Sequence, residues 1–467
     1  LSIGQQQMWL LNQLIPDVPV YNESVTVRIA GELNVDALRS SLNAFIARHE
    51  LWRTTFPLVD GEPMQVVQPE LTLEMPVVDL RSFPAAEREA RAVQLASEQA
   101  VPLFDLTQLP LLRATLVHLD DDDHRLYLTI HHILFDGVIY QVLLPQLYAY
   151  YTAFVEGKPS PLAPLPIQYG DYAIWQREQL QSPEITNQIA YWKKQLAGAP
   201  VTLDLPTDHP YPAVESHRGA RLPFTLSDEL VEQLTQIARS ENATLYQILA
   251  ASFNTLLYHY TGQTDMLTGA ITAGRRPAQT QDMIGVFLNP LVVRNDLSGN
   301  PTFRELLHRV RDVVVEAQDH QDVPFEYLVK ELRPQRDPSR NPLIQVLISL
   351  QPPLPPLAPG WTITQADVET KTAKFELSLI LDNRADGFVA WLQYNSDLFE
   401  EATAARLIRH WQMVLNSIVA DPAQKIEDIA YLTAEEQQTL LHTWNATQND
   451  FPAQTTLHAL IEQQVER

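Results

Sequence analysis

Apolar residues recur along this chain with two periods. Val25, Val27 and Ile29 alternate with polar neighbours, as in a half-buried strand, and Gly31 interrupts them. Val35, Leu38, Leu42, Phe45 and Ile46 follow at helical spacing, so a strand feeds an amphipathic helix. Leu111 to Leu119 and Arg125 to Ile130 predict two strands joined across Asp120, Asp121, Asp122 and Asp123, whose charges prefer water, which makes a hairpin. The period changes again at Val138, Val142, Leu147, Tyr151 and Phe154, a helical stripe stopped near Gly157 and Pro159.

The second half restarts the rhythm. Arg221 to Phe224 is strand-like, and Leu245, Ile248, Leu249, Ser252, Phe253, Leu256 and Leu257 line one face of a helix that Gly262 ends. Met266 to Ile271 predicts a strand, Phe303 to Ala317 a helix, and Leu343 to Leu350 a further apolar segment before the proline cluster Pro352 to Pro359. Proline-dense stretches at Pro159 to Pro166 and Pro206 to Pro212 are candidate crossings between lobes. The pattern predicts two mixed α/β sandwich lobes with a ligand cleft where they meet. No residue-level repeat relates the halves.

Composition narrows the chemistry. The 467 residues carry 33 Lys and Arg against 57 Asp and Glu, a net charge of −24 that repels a nucleic-acid backbone, and no basic stripe offsets it. Cysteine is absent, which removes a thiolate nucleophile, a disulfide framework and thiolate-bound zinc together. No long apolar run predicts a membrane span. The chain begins Leu1-Ser2-Ile3-Gly4 with neither an initiator methionine nor a basic-then-apolar leader, as expected of an internal segment of a longer protein.

The most informative residues are His131, His132, Asp136 and Gly137 in HHILFDG, where a strand gives way to a helix. Successive strand side chains face opposite ways, so one imidazole is expected in the interior and the other at a cleft. An imidazole with an unperturbed pKa near 6.5 accepts a proton from an attacking amine or hydroxyl near neutral pH. Asp136 is placed to cap the helix, to orient an imidazole or to pair with an arginine, and Gly137 to allow a turn or close packing. A bound thioester would supply the activated carbonyl, so no protein nucleophile is needed.

Other readings fit less well. His131, His132 and Asp136 are metal-ligand types, but adjacent histidines diverge. HExxH, a GxSxG elbow and a glycine-rich phosphate loop after a strand are all missing. The Asp120–Asp123 run lacks EF-hand spacing.

HHILFDG is accompanied by an ordered series of motifs that resembles the condensation domain of nonribosomal peptide synthetases, within the chloramphenicol acetyltransferase-like superfamily. The series comprises LSIGQQQMWLLNQL from Leu1, RHELWRTTF from Arg48, YGDYAIWQ from Tyr169, IGVFLNPLVVR from Ile284, HQDVPFE from His320 and RDPSRNPL from Arg336. The resemblance covers Leu1 to about Asp428. Chloramphenicol acetyltransferases are much shorter, and the DFGWG motif of plant-type acyltransferases is missing.

The resemblance implies two chloramphenicol-acetyltransferase-like lobes in a V-shaped arrangement around a central tunnel: residues 1–175, residues 176–430, and a connector at 431–467. It implies a cytoplasmic enzyme that forms an amide between two thioesters. An upstream donor and a downstream acceptor carrier protein would deliver them on 4'-phosphopantetheine arms, with no permanently bound cofactor and no metal. His132 would orient or deprotonate the amine and stabilise the intermediate. Asp136 would pair with Arg275 of AGRR, or with neighbouring Arg276, and His131 and Gly137 would support the site. Trp9, Arg53, Trp175 and Asn289 match motif positions with packing or loop-fixing roles. The rivals are a noncatalytic carrier-binding platform and an acyltransferase acting on a soluble substrate.

Two departures fall near the implied tunnel. Val138-Ile139 stands where the family often has Trp-Ser, and Asn289-Pro290 where Asn-Thr is frequent, which weakens the case for an ordinary L-aminoacyl donor. Finally, WNATQNDFP from Trp444 and LHALIEQQVER from Leu457 resemble the connector and opening of an adenylation domain, which would adjoin this one in the parent chain.

Overall fold

The alternation at Val25, Val27 and Ile29 buries these side chains on one face of the Asn22–Ala30 strand. In the computed structural model, which describes residues 1–335, 337–351, 359–363, 371–384, 387–448 and 455–466, that strand lies inside a five-stranded sheet. Its order is Trp361–Ile363, Asn22–Ala30, Asp123–His131, Leu112–Asp120 and Val77–Asp79. The expected hairpin pairs Leu112–Asp120 antiparallel with Asp123–His131, and Asp120 opposite Asp123 leaves Asp121 and Asp122 at the turn. Arginines offset these charges: Arg28 and Arg125 reach Asp123, and Arg81 reaches Asp121.

Helix Val35–Arg48 is started by Asn34, whose Oδ1 accepts from the Ala37 amide at 3.0 Å. Its face of Leu38, Leu42, Phe45 and Ile46 is buried with the sheet and with helix Ile139–Val155 in one core. That second helix supplies Val142, Leu143 and Leu147, so both helical periods read from the sequence face the same interior.

The second lobe contains a six-stranded sheet ordered Asn289–Asp296, Asp265–Thr272, Val346–Gln351, Leu377–Arg384, Gly387–Asn395 and Gly219–Leu226. The two pairings around Val346–Gln351 are parallel and the others antiparallel. Helices Asp228–Ser240, Leu245–Thr261, Phe303–Asp319 and Glu401–Ala420 share a core with this sheet. Thr244 and Gln247 close a reciprocal cap at the start of Leu245–Thr261, and Gly262 ends that helix at φ 71°. Helix Glu401–Ala420, for which the sequence pattern gave no expectation, brings Trp411 inside, where its Nε1–H donates to Ser252 Oγ at 2.9 Å.

Segments cross between the lobes. Trp361–Ile363 pairs antiparallel with Val27–Ile29 and extends the first sheet, although it lies far along the second half. Met283, Ile284, Val286 and Phe287 also belong to the first core. Tyr169 and Tyr172 pack with the first core, Ile185 and Trp192 with the second. Near the end of the chain, helix Leu457–Val465 leaves Leu457, Ile461 and Val465 exposed. Among the described residues no helix is long and apolar enough to cross a membrane. Arg336, most of the proline cluster (352–358) and residues 449–454 of the connector lie outside the described residues.

Candidate active site

The Asp123–His131 strand ends in a short 3-10 turn, His132–Leu134, before helix Ile139–Val155. His131 is 2% exposed, and its Nδ1 accepts from the Ile133 amide at 3.2 Å, fixing the turn that presents its neighbour. His132 is only partly buried, and its ring stacks on Phe135 with centroids 5.1 Å apart. Its amide donates to the Tyr21 carbonyl at 2.8 Å. Nδ1 of His132 is buried without a partner in another residue, while Nε2 makes no hydrogen bond among the described residues. The two imidazoles therefore divide into an interior support and a ring with an open nitrogen.

Burial, assisted by the positive charge of Lys374, pulls His132 down to about 4 from its ordinary value. His131 is pulled to about 3 by burial and by its charged-state repulsion with His132. Both rings are neutral at pH 7.

Asp136 is fully buried and joins the lobes. Oδ1 accepts from the Val138 amide at 3.1 Å and lies 3.2 Å from Arg275 Nη2. Oδ2 accepts from the amides of Phe287 at 2.8 Å and Leu288 at 3.2 Å. Of the three roles open to it in the sequence, Asp136 takes the arginine pairing together with a local turn at the helix entry; it makes no hydrogen bond with either imidazole. Arg276, the other candidate partner, points away and binds Asp322 at 2.6 Å.

Arg275 is held from several sides. Nη1 donates to the carbonyls of Thr280 at 2.7 Å and Met283 at 2.6 Å, and the guanidinium lies 4.2 Å from the centroid of the Phe287 ring. Gly274 makes this approach feasible: its φ is +63°, and a Cβ there would fall 2.0 Å from the Phe287 carbonyl oxygen. Gly137 is different. Its φ is not left-handed, and an added Cβ would make ordinary contacts with Leu288 Cδ1 at 3.4 Å and Gln351 Oε1 at 3.9 Å. The turn and close packing expected at Gly137 are thus requirements of Gly274 instead.

Asn289 fixes a loop. Its Nδ2 donates to the carbonyls of Gln321 at 2.9 Å and Val323 at 2.8 Å, and its Oδ1 accepts from the Phe325 amide at 2.8 Å. Pro290 costs the sheet little because Asn289–Asp296 is an edge strand. The other motif positions lie apart from His132 in their contacts. Trp9 donates to the Phe56 carbonyl at 3.0 Å, Arg53 binds Gln68 and Glu50, and Trp175 is exposed beside Tyr172.

Several contributors form pairings that motif spacing does not reveal. His49 Nε2 and Gln146 Oε1 lie 2.8 Å apart, and Gln146 reaches across to the Asp282 carbonyl at 3.0 Å. Tyr169 Oη donates to the Val286 carbonyl at 2.7 Å. Beside the histidines, Lys374 Nζ lies 2.6 Å from Glu23 Oε1 and 5.6 Å from the Tyr21 ring centroid. Gln146 with Asp282, Tyr169 with Val286 and Lys374 with Glu23 are joined only by the chain's return from the other lobe, whereas His49 and Gln146 meet within the first. Among the described residues no three His, Asp or Glu side chains come together in a metal-binding group.

Comparison with known proteins places this geometry. The family model described as "Condensation domain" matches residues 1–441. Two polypeptides of the linear gramicidin synthase of Brevibacillus parabrevis are similar to this chain, one 44% identical over 467 residues and the other 42% identical over 471 residues. The matches cover 99% and 100% of this chain and 9% of each relative, so the chain spans less than a tenth of their length. Among solved structures, the complex of the X-domain and OxyB from teicoplanin biosynthesis matches with a TM-score of 0.81 and 31% identity, covering 93% of this chain and 96% of that one. The mixed α/β lobes are those of this structural group. The chain belongs to the condensation-domain family of nonribosomal peptide synthetases, enzymes that form the amide bond between carrier-bound substrates.

Proposed function

We propose that this domain transfers a donor acyl group from its thioester to the amine of an aminoacyl thioester, with His132 at the reacting centre. The amine nitrogen attacks the donor carbonyl, the carbon–sulfur bond breaks, and the departing pantetheine thiolate takes up the proton the amine loses. An upstream and a downstream carrier protein bring the two substrates on 4'-phosphopantetheine arms through opposite mouths of a tunnel between V-arranged lobes. The lobes are residues 1–175 and 176–430. Residues 431–467 lead toward an adenylation domain in a cytoplasmic assembly.

The observation that carries this reading is the unequal environment of the two histidines. His132 is partly exposed and its Nε2 makes no hydrogen bond among the described residues, while His131 is buried and bonded to the Ile133 amide. A neutral imidazole with a low proton affinity is suited to hold the amine and pass its proton on, rather than to store it. Asp136 and Arg275 hold the loop, Gly137 faces Leu288 and Gln351 without crowding, and Asn289 holds the loop that begins helix Phe325–Leu332.

The test uses a donor carrier loaded with an acyl group and an acceptor carrier loaded with an aminoacyl group, without ATP or added metal, followed by mass spectrometry of the acceptor. The acceptor gains the donor mass, and His132→Ala lowers the rate on the order of 10²-fold or more. Unchanged turnover in His132→Ala would sink the assignment.

A second reading is supported by the likeness to the teicoplanin X-domain, which was solved in complex with OxyB. In that reading the fold is a docking platform, and the loaded carriers bind without any mass transfer. Transfer from small-molecule thioesters without carriers would instead identify a soluble-substrate acyltransferase.

A further inference from the structure

We propose that Lys374, clamped by Glu23 across the two lobes, is a positioning residue for His132: it braces the strand end that holds the imidazole, and its charge opposes that of a protonated ring. The inference rests on the reading of His132 as the group at the reacting centre.

Glu23 extends the row of Val25, Val27 and Ile29 along the same face of its strand. Those three belong to the first core, whereas Glu23 is opposite Ile130, at the end where the neighbouring strand gives way to His132. The row therefore ends with a carboxylate just where the core opens toward the other lobe. Lys374 comes from that lobe, 351 residues away, and its Nζ lies 2.6 Å from Glu23 Oε1. Its carbonyl accepts from Asn341 Nδ2 at 2.8 Å, so the main chain bearing the ammonium is itself anchored.

The pair is linked to His132 through Tyr21. Lys374 Nζ sits 5.6 Å from the Tyr21 ring centroid, that ring is 6.2 Å from the His132 ring, and the Tyr21 carbonyl accepts the His132 amide at 2.8 Å. Loss of the ammonium would free both neighbours of Asn22 at once, on the segment to which His132 is tied.

The charges facing His132 come from both lobes. Lys374 opposes protonation of the ring, while Glu23 and Asp136 favour it, and His131 adjoins it. Around this group, Arg221 faces Glu23, and Glu326 faces Tyr21. Burial opposes the Glu23 carboxylate, yet Lys374, His132 and Arg221 together hold it down to about 2, so it is ionised whenever the enzyme works. Without Lys374 this fixed negative charge would act on His132 with less opposition, and protonation of the imidazole would become easier.

The experiment is an NMR titration of the His132 imidazole in the domain with labelled histidine, assigned with His132→Ala and run beside the loaded-carrier assay. Lys374→Met is expected to raise the titration midpoint by about one pH unit, and Glu23→Gln to lower it. The acid limb of the turnover profile moves with the midpoint. A merely structural brace would lower turnover equally at every pH and leave both midpoints alone, which would overturn the inference. Should Lys374→Met not fold, the downward shift in Glu23→Gln, set against the unmoved midpoint of the charge-conserving Lys374→Arg, decides it; no shift in Glu23→Gln overturns it. A shifted midpoint in an enzyme whose turnover survives His132→Ala overturns the catalytic reading while leaving the control of charge in place.

Discussion

The Asp136 carboxylate and the Arg275 guanidinium meet 3.2 Å apart with both side chains almost wholly sealed from solvent. Asp136 also accepts two amides of the second-half segment at Phe287 and Leu288, so one carboxylate joins the histidine loop to the opposite lobe by charge and by main-chain bonds. Removing one partner of such a pair leaves a buried charge uncompensated, which costs on the order of 3–5 kcal/mol. Asp136→Ala should therefore lower the urea midpoint far more than Arg276→Ala, whose ion pair with Asp322 is exposed. Similar midpoints in the two variants would show that the Asp136 pair does not hold the lobes.

Gly274 and Gly137 should respond differently to alanine. At Gly274 a side chain meets both a left-handed backbone and the Phe287 carbonyl oxygen, so the loop must shift and carry Arg275 with it. A loss of at least about 2 kcal/mol is expected, together with reduced turnover. At Gly137 an alanine meets ordinary contacts, so stability should change by less than about 1 kcal/mol. Turnover measured on folded Gly137→Ala then reports on the space between Gly137, Leu288 and Gln351. Equal destabilisation at both positions would contradict the assignment of the tight approach to Gly274.

How far these relationships were legible in the sequence depends on the range over which they act. The alternation of Val25, Val27 and Ile29 and the helical stripe from Val35 to Ile46 have a local cause, and both elements form where the pattern puts them. The hairpin carrying His131 was legible for the same reason, because Asp121 and Asp122 mark its turn. Helix Glu401–Ala420 was not, although it buries Trp411 against the second core. Of the site, the HHILFDG segment was visible as a cluster of chemistry-bearing residues. Lys374, Glu23 and Gln146 were not, because each acquires its role only when a distant segment folds back, and His49 was visible only as a member of RHELWRTTF, without its partner. The first sheet illustrates the limit: its Trp361–Ile363 strand carries no mark in the sequence that it belongs with Val27 and Ile29.

Asn289 offers a test of loop fixation separate from the histidines. Its side chain makes three hydrogen bonds with the main chain between Gln321 and Phe325. Asn289→Ala strands those main-chain groups, and a cost on the order of 1–3 kcal/mol is expected. Hydrogen exchange should quicken from Gln321 to Phe325 while the Asp123–His131 strand stays protected. Exchange unchanged in the loop would remove Asn289 as its anchor.

The last prediction concerns a buried acid pair in the second lobe and the pH dependence of stability. Glu376 accepts from Tyr211 Oη at 2.7 Å and leaves Oε1 buried without a partner, while Glu215 accepts from Asn341 Nδ2 at 3.0 Å. Burial, with the Glu376 charge adding to it, pushes Glu215 up to about 8, and burial pushes Glu376 up to about 7. In the unfolded chain both carboxyls titrate near the ordinary value of 4.5. Between these limits the folded state binds more protons than the unfolded one, so this contribution is complete below pH 4.5 and is lost as pH rises through about 8. The buried histidines have the opposite sign: His49 and His132 are pulled to about 4 and His131 to about 3, so their contribution grows as pH rises toward 6.5. Total stability mixes the two, but the difference between wild type and Glu215→Gln isolates Glu215 and the groups coupled to it, Glu376 and His217, the latter 3.5 Å from its Oε1. The variant should gain on wild type as pH increases, by on the order of 4 kcal/mol between pH 5 and pH 8.5, in urea unfolding at each pH. A difference that stays constant across this range would mean that Glu215 folds as an ordinary carboxylate.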